Sequence, residues 1–220
     1  MINNPSAKQI LIYGDSLVYG KKPSVPERFD SATRFTGIIQ ELLGNNFNII
    51  EEGLRARMLV GENVFFPERN GLEQFGPIFG SHVPLDLVVI MLGTNDGNSG
   101  QHRTAEEYAS TLGSYLEKIS TWCTNLGIPT TPKVLLVAPP HMQASEIAQD
   151  TALTKIFGEA AEQKSKELAP IYEQFARENN IAFFDASTVC KSASGEGVHL
   201  DIENNKLLGE ALARKIQEQI

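Results

Sequence analysis

Gln9-Ile10-Leu11-Ile12-Tyr13-Gly14-Asp15-Ser16-Leu17 is the stretch from which the fold is read: an apolar run that passes directly into a glycine, a carboxylate and a serine. Gln9 to Tyr13 has the β-branched and aromatic content of a buried strand, and Gly14 supplies the backbone freedom to turn off it. In an open α/β sheet such a turn lies at the carboxyl edge, where ligands bind. A serine after a strand is most simply a helix cap accepting from free backbone N–H groups. Two later stretches shift the reading toward chemistry. Ile90-Met91-Leu92-Gly93-Thr94-Asn95-Asp96 repeats the plan of a hydrophobic strand ending in a glycine and short polar residues, and Gly195-Glu196-Gly197-Val198-His199 places a carboxylate three residues before a histidine. Serine, amide donor, histidine and carboxylate together form a set suited to acyl transfer.

Outward from Ser16 the chain alternates. A Lys-, Pro- and Glu-rich loop over 19–30 borders the turn, and Phe35, Ile38, Ile39, Leu42 and Leu43 then fall at helical spacing between Ser31 as a cap and Gly44 as a stop. Residues 47–50 read as a second strand that leads into a loop over 51–57. From 61 to 82 no period is visible, and Pro67, Gly71, Gly76, Pro77 and Gly80 predict a long irregular segment whose aromatics, Phe65, Phe66, Phe75 and Phe79, wall a pocket or join subunits. The run over 85–92 predicts a central strand buried on both faces. Thr104-Ala105-Glu106-Glu107 is a capping box that opens a helix ending near Gly127. Strands over 134–137 and 181–184, a helical stretch over 154–178 and a last helix over 203–220 complete the pattern. Strands alternating with helices predict right-handed crossovers and a parallel sheet covered on both sides. The expected architecture is a three-layer α/β/α sandwich with a five-stranded, flavodoxin-like parallel sheet, and the absence of a linker makes 1–220 one domain.

A formal net charge of -8, from 19 basic against 27 acidic residues, argues against a nucleic-acid or anionic-membrane partner, because counterion release needs clustered cations. Two cysteines in 220 residues do not make a disulfide framework. The polar start over 1–9 lacks a signal-peptide core, and no run is long enough to span a bilayer. The expectation is a soluble, cytoplasmic protein that meets a small-molecule partner, with a homo-oligomer left open.

A serine hydroxyl needs a base. His82, His102 and His141 are more simply loop or surface residues, whereas His199 alone has a carboxylate three residues upstream on a glycine-rich loop. Asp201, two residues beyond His199, is the rival carboxylate, although its place before the last helix suits an N-cap. Asn95 offers a neutral N–H at the end of a central strand, while Asp15 and Asp96 read as braces for their loops. No His-x-x-x-His, paired cysteines, Gly-x-Gly-x-x-Gly or Gly-Lys-Ser/Thr occurs, so neither a metal nor a cofactor is expected. The lack of Gly-x-Ser-x-Gly around Ser16 argues against the ordinary α/β-hydrolase elbow.

With these residues in view, the chain resembles the SGNH, or GDSL, hydrolase superfamily. Gly14-Asp15-Ser16-Leu17 is similar to its first block, Gly93-Thr94-Asn95-Asp96 to its third and the His199 loop to its fifth. Likeness to the bacterial arylesterase and acyltransferase branch extends through Glu27-Arg28-Phe29, Glu51-Glu52-Gly53-Leu54, Pro84-Leu85-Asp86-Leu87 and Phe183-Phe184-Asp185-Ala186. The resemblance implies a Ser16 nucleophile, a His199 base and an oxyanion hole built from the Ser16 N–H, the Ala56 N–H and the Asn95 side chain. Two positions differ from the superfamily: Ala56 stands at the second-block glycine, and Glu196 stands where an aspartate precedes the histidine. The resemblance implies hydrolysis of short-chain or aryl esters with no cofactor. Acyl transfer to alcohols, carbohydrate O-deacetylation and thioester hydrolysis use the same residues, and a non-catalytic ligand-binding module is the alternative of a different class.

Overall fold

The structure is a computed structural model that describes residues 4–98, 100 and 103–220; His102 therefore lies outside the described residues. Five strands, β1 (Lys8–Gly14), β2 (Phe47–Gly53), β3 (Leu87–Met91), β4 (Lys133–Ala138) and β5 (Ala182–Asp185), pair in parallel in the order β2-β1-β3-β4-β5. This is the expected flavodoxin-like sheet. Its order reverses between β1 and β3, which opens a crevice at the carboxyl ends of those two strands. Eight helices accompany it among the described residues: α1 (Ser16–Tyr19), α2 (Phe35–Leu43), α3 (Gly71–His82), α4 (Ala105–Asn125), α5 (Ala144–Ile147), α6 (Thr151–Phe157), α7 (Ala161–Glu178) and α8 (Ile202–Gln217). No helix among the described residues is long and apolar enough to cross a membrane.

The strand period of two divides β1 between two cores. Ile10 and Ile12 pack with residues of α2 and α8 on one face, and Leu11 and Tyr13 with residues of α3, α4 and α7 on the other. The α4 capping box forms as its sequence predicts, with the Glu107 N–H donating to Thr104 Oγ1 and the Thr104 N–H to Glu107 Oε2.

Four elements differ from expectation. Residues 71–82 form α3 rather than an irregular segment. Asn70 caps it, and Phe75 and Phe79, one helical turn apart, stack at 5.7 Å between centroids inside the core, so neither walls a pocket nor reaches a subunit contact. Its glycines are there for packing: a Cβ on Gly76 or Gly80 would stand 2.7 or 2.3 Å from the Trp122 ring of α4. Helix α2 starts at Phe35 and is not capped by Ser31, because Asn205 Oδ1 of α8 accepts the Phe35 N–H at 3.1 Å and replaces a local cap. The helical stretch over 154–178 is broken into α6 and α7 at Gly158, which takes a φ of 68°. Strand β2 runs on to Gly53, since Glu51 faces Arg34, Arg28 and Thr36 rather than solvent.

Candidate active site

Gly14 ends β1 where no other residue fits: a Cβ there would lie 2.3 Å from Val18 Cγ2 and 2.6 Å from the Met91 carbonyl oxygen. The chain turns at once into α1, whose cap is Asp15, its Oδ1 accepting the Leu17 N–H at 2.9 Å. Ser16 opens that helix at the crevice. From the far end of the sequence, a loop after β5 brings His199 against it, with 3.0 Å between His199 Nε2 and Ser16 Oγ. The other ring nitrogen, Nδ1, is hydrogen-bonded to Glu196 Oε1. Glu196 Oε2 in turn accepts the N–H groups of Val198 at 2.9 Å and His199 at 2.7 Å.

This geometry requires Gly195 and Gly197, both at positive φ (80° and 83°), and a Cβ on Gly197 would meet the Gln143 carbonyl oxygen at 2.6 Å. Ser16, His199 and Glu196 are 5, 6 and 1 % exposed, so their mutual bonds face little competition from water. Burial alone would push the Glu196 carboxyl up, but the hydrogen bond and charge of His199, with the backbone donors, hold it below the usual carboxylate range. An ionised Glu196 fixes the proton on Nδ1 and leaves Nε2 free to accept from the serine.

Asn95 follows β3 in a single helical turn, Asn95–Gly97, and its Nδ2 donates to the Arg57 carbonyl at 3.0 Å and, weakly, to Asp15 Oδ2 at 3.5 Å. Ala56 adopts a φ of 65°, a left-handed conformation that suits glycine. Both line the same cleft as Ser16 and His199. Asp15 and Asp96 are buried braces: burial pushes them up to about 7 and about 6, and Asp96 takes the Leu59 N–H at 2.7 Å and Arg103 Nε at 3.1 Å. Asp201 caps α8 by accepting the Asn204 N–H at 2.8 Å and forms no bond to His199. His82 is paired with Glu52 at 2.8 Å, and neither it nor His141 is bonded to Ser16. No group of three or more His, Cys, Asp or Glu among the described residues is arranged to hold a metal ion.

Two contributors escaped the sequence reading. Arg57 is 3 % exposed under the Ala56 loop, where Nη1 donates to the carbonyls of Gly14 at 2.8 Å and Glu52 at 2.5 Å and the guanidinium lies 4.1 Å from the Tyr13 ring centroid. It ties together the carboxyl ends of β1 and β2, a non-local role that no local pattern announces. The second is the segment from Met142 to Phe157. Leu153, Ile156 and Phe157 wall the cleft, which has a volume of about 260 Å³, and Met142, Ile147, Phe157 and Ala161 pack against Val198, next to the histidine.

Residues 12–204 match the GDSL-like lipase/acylhydrolase family. An aryl esterase from M. smegmatis superimposes with a TM-score of 0.89 at 35 % identity, covering 97 % of this chain and 100 % of its own. The carbohydrate acetylesterase Est24 from Sinorhizobium meliloti gives a TM-score of 0.87 at 36 % identity, with the same coverage of 97 % and 100 %. A carbohydrate acetylesterase family member from the same organism gives 0.87 at 31 % identity, covering 96 % of this chain and 98 % of its own. No curated protein matches the chain.

Proposed function

The chain belongs to the GDSL-like lipase/acylhydrolase family, and from that premise we propose that it is a carboxylic ester hydrolase, a serine esterase that cleaves short-chain acyl or aryl esters through Ser16, His199 and Glu196. The observation that carries the reading is the relay itself: at the floor of a cleft Ser16 Oγ lies 3.0 Å from His199 Nε2, and the opposite ring nitrogen is held from behind by a buried, ionised glutamate.

In this mechanism Ser16 Oγ attacks the ester carbonyl as Nε2 takes its proton, and Glu196 stabilises the imidazolium that forms. The tetrahedral oxyanion is received by the N–H groups of Ser16 and Ala56 and by Asn95 Nδ2. His199 then returns the proton to the leaving alcohol. Water, activated by the same imidazole, releases the acyl group from Ser16, and an alcohol admitted in place of water would carry it away as a new ester. Phe66, Leu153, Ile156 and Phe157 supply apolar surface for an aryl or acyl group, and the limited volume, about 260 Å³, favours short chains. Likeness to carbohydrate acetylesterases supports a second reading, removal of O-acetyl groups from sugars by the same steps.

The test is a panel of p-nitrophenyl acetate, a long-chain p-nitrophenyl ester, an acetyl thioester and a peracetylated sugar, run with wild type and Ser16→Ala. Acetyl esters should be the better substrates, and Ser16→Ala should abolish turnover while leaving thermal unfolding unchanged. A folded, active Ser16→Ala protein would sink the assignment, and faster turnover of the long chain would sink the short-chain preference.

A further inference from the structure

The cleft beside Ser16 and His199 carries the side chains of Lys21, Arg55 and Arg69, and among the described residues no aspartate or glutamate lines it. That is the opposite of the chain as a whole, whose formal net charge is -8. A cleft lined by one sign of charge over apolar walls focuses its field and concentrates counter-ions of the other sign. None of the three cations forms an ion pair among the described residues: Glu196 and Asp150 act on Lys21 only at a distance, Lys21 Nζ donates to the carbonyls of Lys22 and Val25, and Arg69 to those of Arg55, Pro67 and Glu68. Arg55 is the least engaged. It is exposed, and its guanidinium makes, among the described residues, a single 3.5 Å approach to the Pro26 carbonyl.

We propose that this cleft selects esters that carry a carboxylate, held by Arg55 with Lys21 and Arg69 while the ester carbonyl meets Ser16. The proposal rests on the esterase reading and names its substrate class. Guanidinium groups match a carboxylate in geometry, so Arg55 and Arg69 offer it paired donors as well as charge. Neutral esters enter the same cleft but gain nothing from it.

The experiment compares phenyl acetate, para-acetoxybenzoate, with the carboxylate on the leaving group, and phenyl hydrogen succinate, with the carboxylate on the acyl group. For each, kcat/KM is measured with wild type, Arg55→Gln and Arg55→Lys at low and high ionic strength. Taking each charged ester relative to phenyl acetate, and wild type relative to variant, cancels the esters' different intrinsic reactivities. At least one charged ester should lose about tenfold of its relative kcat/KM in Arg55→Gln, should keep most of it in Arg55→Lys, and should lose it in wild type as salt is added. The ester that responds tells which side of the scissile bond the cations hold. Turnover of all three esters with ratios unmoved by Arg55→Gln and by salt overturns the proposal and leaves the esterase standing. A folded wild type that turns over none of them overturns both. The salt series needs no variant, so a misfolded Arg55→Gln protein does not remove the test.

Discussion

Replacing Glu196 by glutamine changes one oxygen to an NH2 group and so asks which end of the amide faces the histidine. In the wild type one carboxylate oxygen takes His199 Nδ1 and the other takes the two backbone N–H groups of Val198 and His199. If the glutamine turns its NH2 toward the backbone, two buried donors lose their acceptor; if it turns the NH2 toward the ring, one does. Each buried donor left unsatisfied costs about 1–3 kcal/mol, so the second orientation is preferred by about that amount. In it the amide donates to Nδ1, the ring proton moves to Nε2, and Nε2 can no longer accept from Ser16 at its 3.0 Å separation. The tautomer is wrong although every heavy atom is in place. The corresponding amide replacement in a serine protease triad lowers kcat by about ten-thousandfold, and Glu196→Gln should cost on the order of a thousand- to ten-thousandfold here. The assay is kcat on p-nitrophenyl acetate, with thermal unfolding to show that the variant is folded. Asp201→Asn is the control, since Asp201 caps α8 and its loss should leave kcat nearly unchanged. A folded Glu196→Gln enzyme within about tenfold of wild type, or an inactive Asp201→Asn enzyme, would refute the reasoning.

Asn95→Ala should lower kcat by about a hundred- to a thousandfold at nearly constant KM; the reverse pattern would make Asn95 a binding residue. Gly80→Ala should destabilise by about 1–3 kcal/mol because its Cβ would stand 2.3 Å from Trp122. Gly113→Ala, inside α4 with nothing within 4 Å, should stabilise by about 0.5–1 kcal/mol; urea unfolding of both checks the pair, and equal midpoints would contradict it. Asp15, raised to about 7 by burial, keeps its proton in the folded chain where the unfolded chain has released it. Its contribution therefore lowers stability as pH climbs from about 4 to 7. Asp15→Asn should flatten that slope in urea midpoints measured across the range, and a slope equal to that of wild type would count against a raised Asp15.

The sheet was legible because its signal is local: β1, β3 and β4 are apolar runs closed by Gly14, Gly93 and Pro139, and parallel strands buried on both faces need little else. The pairing of Ser16 with His199 spans most of the chain; the carboxylate three residues before His199 pointed to it, and motifs carried by resemblance made it specific. What stayed hidden depends on partners distant in sequence. Gly76, Pro77 and Gly80 speak against a helix by propensity, yet the close approach to Trp122 gives the glycines their reason. Asn205 replaces a cap that Ser31 was expected to supply. Arg57 looks like one more charged loop residue until the carbonyls of Gly14 and Glu52 are seen to converge on it.

The segment between β4 and α7 lines the cleft with Leu153, Ile156 and Phe157, and it also holds the histidine loop. Gln143 receives the Gly197 carbonyl on its N–H at 2.9 Å, Glu146 Oε2 accepts the Gly195 N–H at 2.5 Å, and Phe157 shares a packed cluster with Val198. In the proposed mechanism, selectivity and catalytic power are thus not separate modules that can be exchanged one at a time. A lineage, or an engineer, that widens the cleft by trimming Phe157 also loosens the mounting of His199, so new substrates are gained at first with a slower enzyme. Recovering the rate then calls for compensating changes in the Gly195–Gly197 turn or in α5, the parts that hold that loop.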